Sequence, residues 1–316
     1  MRYSKQEILI GKNAQRKLEN SKVSIVGIGA TGTAVLEILA RAGIGSIKII
    51  DRDVVELGNL HRQKLFTEED INKPKAMAAK ERIMQINSEI NVESFVTDLD
   101  FDNISILDCS NIILDCTDNI YTRFLINDFS RKYNVPWVYA SVIGTKGMVI
   151  NITHETPCFS CIFKEPDSPL DTCDTVGILN TAPQAISAVQ VTEALKILTG
   201  NEYCRDLISY DLWVNQLDRI KVKKINNCRT CNGVYDYLNG LKARKTIKIC
   251  GSSSFQIKLE NIDMEMLFYK LSKLKPISAG DECLIFRDII LFKSGRALVK
   301  ADSKEKAKIA LDKYLG

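Results

Sequence analysis

The stretch Lys22-Val-Ser-Ile-Val-Gly27-Ile-Gly29-Ala-Thr-Gly32 decides how the rest of the chain is read. A short apolar run leads straight into three glycines at GxGxxG spacing, and Ala/Leu-rich sequence continues to about residue 42. This is the pattern of a strand, a tight phosphate-cradling turn and a helix whose first N–H groups face a ligand. Asp51 stands 19 residues beyond Gly32 and ends a second apolar run, Ser46–Ile50. That spacing suits a carboxylate accepting hydrogen bonds from ribose hydroxyls. Taken alone, the glycine motif fits a nicotinamide or flavin enzyme as well as any other nucleotide user.

Outward from that stretch, strand and helix patterns alternate. Pro74 opens a helix to about residue 87, since proline is tolerated in a first turn. Strands are expected at 92–97 and 111–116, a helix at 119–133, and strands at 137–142 and 148–152. A helix at 183–198 and strands at 207–210 and 216–223 complete this part. The alternation predicts an α/β fold: a doubly wound, Rossmann-like, mostly parallel sheet, with ligands beyond the carboxyl ends of its strands. After about residue 240 the pattern changes to a strand, a helix at 264–274, two short strands around 283–292 and a helix at 303–314. The expected domains are therefore 1–240, which binds the nucleotide, and a small α+β domain, 241–316, with a docking role as one option.

Composition bounds the class. The chain has 316 residues, 45% of them hydrophobic, which is ordinary for a globular protein. No apolar stretch reaches the roughly 18 residues of a membrane span, and Met1-Arg-Tyr-Ser-Lys-Gln-Glu lacks a signal-peptide core. A cytoplasmic protein without membrane association is expected. From Tyr237 onward there are 16 Lys and Arg against 9 Asp and Glu. This basic end fits an acidic partner, RNA, or simply a solvated surface. It lacks interleaved aromatics that would stack bases, so nucleic acid is disfavoured.

The chain holds ten cysteines, which a reducing compartment would keep out of disulfides. Cys158-Phe-Ser-Cys161 and Cys228-Arg-Thr-Cys231 supply four thiolates, which a closed tetrahedral zinc site requires. Four thiolates leave no position for water, so the zinc would be a structural clip. A redox dithiol is the alternative. Cys109, Cys116, Cys204 and Cys283 read as core residues, and Cys250 as a strand-end core residue.

Asn59-Leu-His61-Arg62-Gln63 and Lys75 bring two cations and an amide within about 25 residues of Asp51. A redox cofactor needs no such cluster, whereas a triphosphate losing pyrophosphate does. Asp115-Cys-Thr-Asp118-Asn119 ends a buried strand and begins a helix. There Asp118 either caps the helix or holds magnesium at the sheet edge.

The order Arg-Tyr-Ser-Lys-Gln, GxGxxG, Asp51, Asn59-Leu-x-Arg62-Gln63, Lys75, Asp-Cys-Thr-Asp-Asn and two CxxC pairs resembles the ThiF/MoeB/HesA family over about residues 1–235. The resemblance implies an enzyme that adenylates the C-terminal glycine of a ubiquitin-like sulfur-carrier protein. It implies magnesium on Asp118 and ATP phosphates on Asn59, Arg62 and Lys75. Gly27, Gly29, Gly32, Asp51 and Gln63 complete the expected ATP site. It also implies a homodimer in which an N-terminal arginine reaches the partner's ATP. Here Lys5 stands in that place, keeping the charge but losing the planar fork, with Arg2 as a substitute. Cys173 matches the position of the family's loop cysteine, an expected thiol acting after adenylation, and a separate sulfurtransferase is an expected partner. The other readings are adenylation of tRNA or a peptide, a non-catalytic dimeric scaffold, and an NAD-dependent oxidoreductase.

Overall fold

The computed structural model describes residues 2–165, 176–242, 254–259, 263–273, 278–279, 283–292, 295–301 and 303–315. The chain divides into two compact units, Met1–Ala243 and Arg244–Gly316.

The larger unit opens with two helices that the sequence pattern did not announce, α1 (Ser4–Ile10) and α2 (Lys12–Glu19). Only Gln15 and Leu18 of the pair are buried, so there is little apolar periodicity to read. Then follow β1 (Lys22–Val26), α3 (Ala30–Ala42), β2 (Ser46–Ile50), α4 (Lys75–Ile86), β3 (Asn91–Phe95), β4 (Ile112–Asp115) and α5 (Ile120–Tyr133). Next come β5 (Trp137–Ile143), β6 (Lys146–Ile152), α6 (Phe159–Ile162), α7 (Thr181–Thr199), β7 (Leu207–Asp211) and β8 (Gln216–Ile220).

These eight strands form one sheet in the order β3-β2-β1-β4-β5-β6-β7-β8. The first five are parallel and the last three antiparallel. Alternate residues of the central strands feed two cores. Ile25, Ile49, Ile112 and Leu114 belong to one, with Val35, Leu39 and Ile83. Val26, Ile50 and Ile113 belong to the other, with Phe124, Phe129 and Trp137. Strand order reverses between β1 and β4, both of which run in the same direction. That is the switch point where an open α/β sheet leaves a crevice at its carboxyl edge.

The smaller unit carries β9 (Ser254–Lys258), α8 (Met264–Ser272), β10 (Ser278–Ala279), β11 (Cys283–Phe286), β12 (Ile289–Phe292), β13 (Arg296–Lys300) and α9 (Lys304–Leu315). Its sheet is antiparallel in the order β10-β11-β12-β13-β9. Leu267, Leu271, Leu284, Phe286, Leu291, Val299 and Leu311 share a core of its own. Charges at both ends of β13 hid its apolar centre from the sequence pattern. Among the described residues, no helix is long and apolar enough to cross a membrane.

Candidate nucleotide site and cysteine centre

The glycine loop leaves β1 at Gly27, whose φ is +91°. A Cβ there would lie 2.7 Å from the Cys116 carbonyl oxygen, and one on Gly32 would lie 2.0 Å from the Gly27 carbonyl oxygen. Both positions need glycine for close backbone approach. Gly29 differs, because nothing lies within 4 Å of where its Cβ would be. Its face is open.

Asp51 follows β2 and ties the loop down. Its Oδ2 accepts the Ile28 N–H at 2.6 Å and its Oδ1 the Asp53 N–H at 2.7 Å. Burial pushes its carboxyl above the usual range, with Lys75 opposing and Asp53 adding to the rise. Lys75 begins α4 and is buried. Its Nζ stands 3.5 Å from Asp53 Oδ2. Burial pulls the ammonium down, but Asp53, Asp51, Asp118 and Glu56 together raise it above its ordinary value. Lys75 is therefore a fixed cation at neutral pH.

Arg52 and Asp53 were not singled out from the sequence. Arg52 pairs with Asp98 at 3.0 Å and approaches Asp53 at 3.6 Å. The signal was available, since a charged pair directly after a carboxylate strand end faces the same crevice as that carboxylate.

Asn59 is buried in a 3₁₀ turn, Leu57–Asn59, where its Oδ1 accepts the Glu56 N–H at 3.2 Å. Half-buried Arg62 donates from Nη1 to the Gly58 carbonyl at 2.7 Å. His61 is exposed, with Nδ1 3.1 Å from that same carbonyl. Gln63 is buried, yet among the described residues its Oε1 has no hydrogen-bond partner. A buried acceptor without a donor is costly unless a ligand supplies one.

At the end of β4, the Asp115 carboxylate organises a turn. Its Oδ1 accepts the Thr117 N–H at 2.9 Å and the Thr117 hydroxyl at 2.7 Å. The N-cap of α5 is Asn119, whose Oδ1 accepts the Thr122 N–H at 2.8 Å. The capping alternative for Asp118 is thus filled by its neighbour. Asp118 is exposed and makes no hydrogen bond among the described residues. It is near enough to raise Lys75, Arg52 and Arg123.

The structure therefore brings Gly27, Gly29, Gly32, Asp51, Lys75 and Asp118 to one sheet edge, with Asn59, Arg62 and Gln63 in the segment leading to α4. Lys5 is exposed on α1, away from these residues' hydrogen bonds. Arg2 is engaged elsewhere, donating to the Ile86 carbonyl at 3.1 Å and lying 3.4 Å from Glu89. Cys173 and Cys250 lie outside the described residues. Cys116 and Cys283 are buried and Cys204 half-buried, but Cys109 corrects the core reading: it is exposed, at φ +63°, in the turn before β4.

The two CxxC pairs do meet. The Sγ atoms of Cys158, Cys161, Cys228 and Cys231 all lie within 4.8 Å of one another. Cys158 to Cys228 is 3.4 Å, while Cys158 to Cys161 and Cys161 to Cys231 are each 3.7 Å. A tetrahedron with metal–sulfur bonds of about 2.3 Å has edges of about 3.8 Å, so the donor set fits zinc. Burial and the nearby Cys161 sulfur push the Cys158 thiol up, whereas the Ile225 and Cys158 N–H groups favour the Cys161 thiolate despite its burial. The knuckles are latched to α5 through Asp128. Its Oδ1 accepts the Thr230 hydroxyl at 3.2 Å, and its Oδ2 accepts the Tyr237 N–H at 3.0 Å.

The ThiF family profile matches residues 3–230. The chain belongs to the ThiF family. It is 36% identical over 333 aligned positions to a sulfur carrier protein ThiS adenylyltransferase of Bacillus subtilis, covering 100% of this chain and 99% of that protein. An Escherichia coli ThiS adenylyltransferase is 34% identical, with 74% of this chain and 95% of that protein covered. A solved structure of E. coli MccB with MccA-N7isoASN superposes with a TM-score of 0.66 at 23% identity, covering 73% of this chain and 75% of that one. At that identity the likeness concerns the fold. This ThiF-family chain is an adenylyltransferase, a class of enzyme that draws on ATP. The open face at Gly29, the orphaned Gln63 acceptor and the buried Lys75 ammonium fit that ligand.

Proposed function

We propose that this ThiF-family enzyme adenylates the C-terminal glycine of a small ubiquitin-like sulfur-carrier protein. The observation that carries the reading is the juxtaposition of Lys75, Asp51 and an unbonded Asp118 at the edge of a glycine loop open at Gly29. The named relatives in Bacillus subtilis and Escherichia coli support the choice of substrate.

In this reading Asp51 receives the ribose, Asn59, Arg62 and Lys75 hold the phosphates of ATP, and Gln63 offers its Oε1 to a donor on the nucleoside. The carrier's terminal carboxylate attacks the α-phosphorus, the bond to the bridging oxygen breaks, and pyrophosphate leaves with the electron pair. Charge grows on the leaving oxygens, where the Lys75 ammonium and the Arg62 guanidinium would meet it. Magnesium, held by Asp118, would supply further neutralisation of those oxygens. The product is an acyl-adenylate, open to a thiolate or persulfide. Cys173 is the proposed thiol acting after adenylation, and a separate sulfurtransferase the proposed sulfur source. Zinc on the four cysteines would be structural. A homodimer, with Lys5 reaching the partner's nucleotide, completes the proposal.

The test is ATP–pyrophosphate exchange by the purified protein, with and without small carriers ending in Gly-Gly. Exchange that depends on a carrier is expected, and it should survive in Cys173→Ala. Exchange that ignores every carrier, or fails with all of them, would remove the assigned substrate.

A further inference from the structure

We propose that Arg123 is a positioning residue for Asp118: its guanidinium locks the 115–118 turn and so holds the Asp118 carboxylate out from the sheet edge. The inference rests on the reading of Asp118 as the magnesium ligand.

Arg123 is the fourth residue of α5 and its side chain is buried. Its Nη2 donates to the Thr117 carbonyl at 2.5 Å, one residue before Asp118. Its Nε lies 3.5 Å from Asp115 Oδ2. Its Cζ lies 5.0 Å from the centroid of the buried Tyr139 ring, which leaves the guanidinium little room to swing. One planar group thus reaches both ends of the turn, by an ion pair with the Asp115 side chain and a hydrogen bond to the Thr117 main chain.

The electrostatics point the same way. Asp115 is fully buried, and Thr117 occupies only its Oδ1. Among the described residues, Oδ2 has no hydrogen-bond partner, so Arg123 is the cation that answers its charge. A buried carboxylate stripped of its cation is strongly unfavourable. The turn would relieve it by taking up a proton or by swinging Thr117, and Asp118 is attached to Thr117. From the other side the turn is pinned by Gln190, whose Nε2 donates to the Asp115 carbonyl at 2.9 Å. That bond fixes the strand end but does not reach Thr117. Thr117 is tied to Asp115 Oδ1 directly, and Arg123 adds a second bridge from Asp115 Oδ2 to the Thr117 carbonyl. Lysine in its place would keep a charge but not the fork that spans both partners.

The experiment uses the full-length chain with ATP and Mn²⁺ as the probe, free Mn²⁺ being read by electron paramagnetic resonance. Arg123→Gln and Arg123→Lys are measured beside the parent and Asp118→Asn. Removing a residue that holds a metal ligand in place typically costs about 10–100-fold in metal affinity. Arg123→Gln should weaken Mn²⁺ binding by about tenfold and Arg123→Lys by several-fold. Exchange activity lost at low magnesium should return as magnesium is raised. If either folded variant binds Mn²⁺ as tightly as the parent while losing only thermal stability, the role is structural and the inference is overturned. If Asp118→Asn itself leaves Mn²⁺ binding untouched, the underlying reading of Asp118 fails, and that failure is visible whatever Arg123 does.

Discussion

Gly29 and Gly32 sit three residues apart and should respond to the same substitution in opposite ways. Alanine at 32 would drive its Cβ to 2.0 Å from the Gly27 carbonyl oxygen, so the loop itself must move. Alanine at 29 meets nothing within 4 Å, and its backbone φ of −90° suits an L-residue. Gly32→Ala should therefore lower the melting temperature and abolish ATP binding together. Gly29→Ala should leave thermal stability within about 0.5 kcal/mol yet weaken ATP binding, because its methyl occupies the cradle. Calorimetric ATP titrations alongside melting curves separate the two, and equal behaviour would refute the placement of the nucleotide. Lys75→Met removes the cation that Asp53 and Asp51 share. Exchange should fall by roughly a hundredfold or more, as when a preorganised charge is removed from a transition state. A melting curve must accompany it, since the carboxylates lose their partner as well. The grouping of the glycines, Asp51, Lys75 and Asp118 at one sheet edge was legible because it follows from local spacing around the strand ends. Arg123 was not, since its role depends on a partner in β4 and a ring in β5 that only the folded sheet brings together.

Among the elements, the latch between α5 and the second cysteine knuckle has a pH signature. Burial pushes the Asp128 carboxyl up to about 6, against hydrogen bonds from Leu238, Tyr237 and Thr230 that favour its ionised form. An unfolded aspartate titrates near pH 3.9. The folded state thus binds its proton more tightly, so this group's contribution is greatest below about pH 4. It declines as pH rises towards 6 and is flat beyond. Asp128→Asn cannot titrate. Its stability relative to the parent should be more favourable at pH 7 than at pH 5, as read from denaturant midpoints of zinc-loaded protein at both values. A constant difference would mean that Asp128 ionises normally in the fold. The central strands were readable because their apolar runs are bounded by glycine or aspartate, with β1 and β2 at the expected limits. α1 and α2 were missed because they bury so little, and the edge strand β8 ends earlier than its pattern suggested because no residue of it is buried.

For the molecule as a whole, the division into Met1–Ala243 and Arg244–Gly316 places all four zinc-candidate cysteines in the larger unit. Each unit has a hydrophobic core drawn from its own strands and helices. Units with no core residue in common among the described residues predict two unfolding events rather than one. The cysteine centre links the segment after β6 to the segment after β8, two places with 66 residues between them in sequence. Metal that binds only the folded arrangement stabilises it by mass action. Stripping zinc with a chelator should therefore shift the transition of the larger unit downwards and leave that of the smaller unit where it was. Cys228→Ser should do the same without chelator. The assignment of each transition comes from Trp137, which is fully buried in the larger unit, while the smaller unit contains no tryptophan. Tryptophan fluorescence reports the larger unit, and far-ultraviolet circular dichroism reports both. If chelation moved the two transitions together by the same amount, the units would be folding as one, and the smaller one could not be treated as an appendage to the adenylating enzyme.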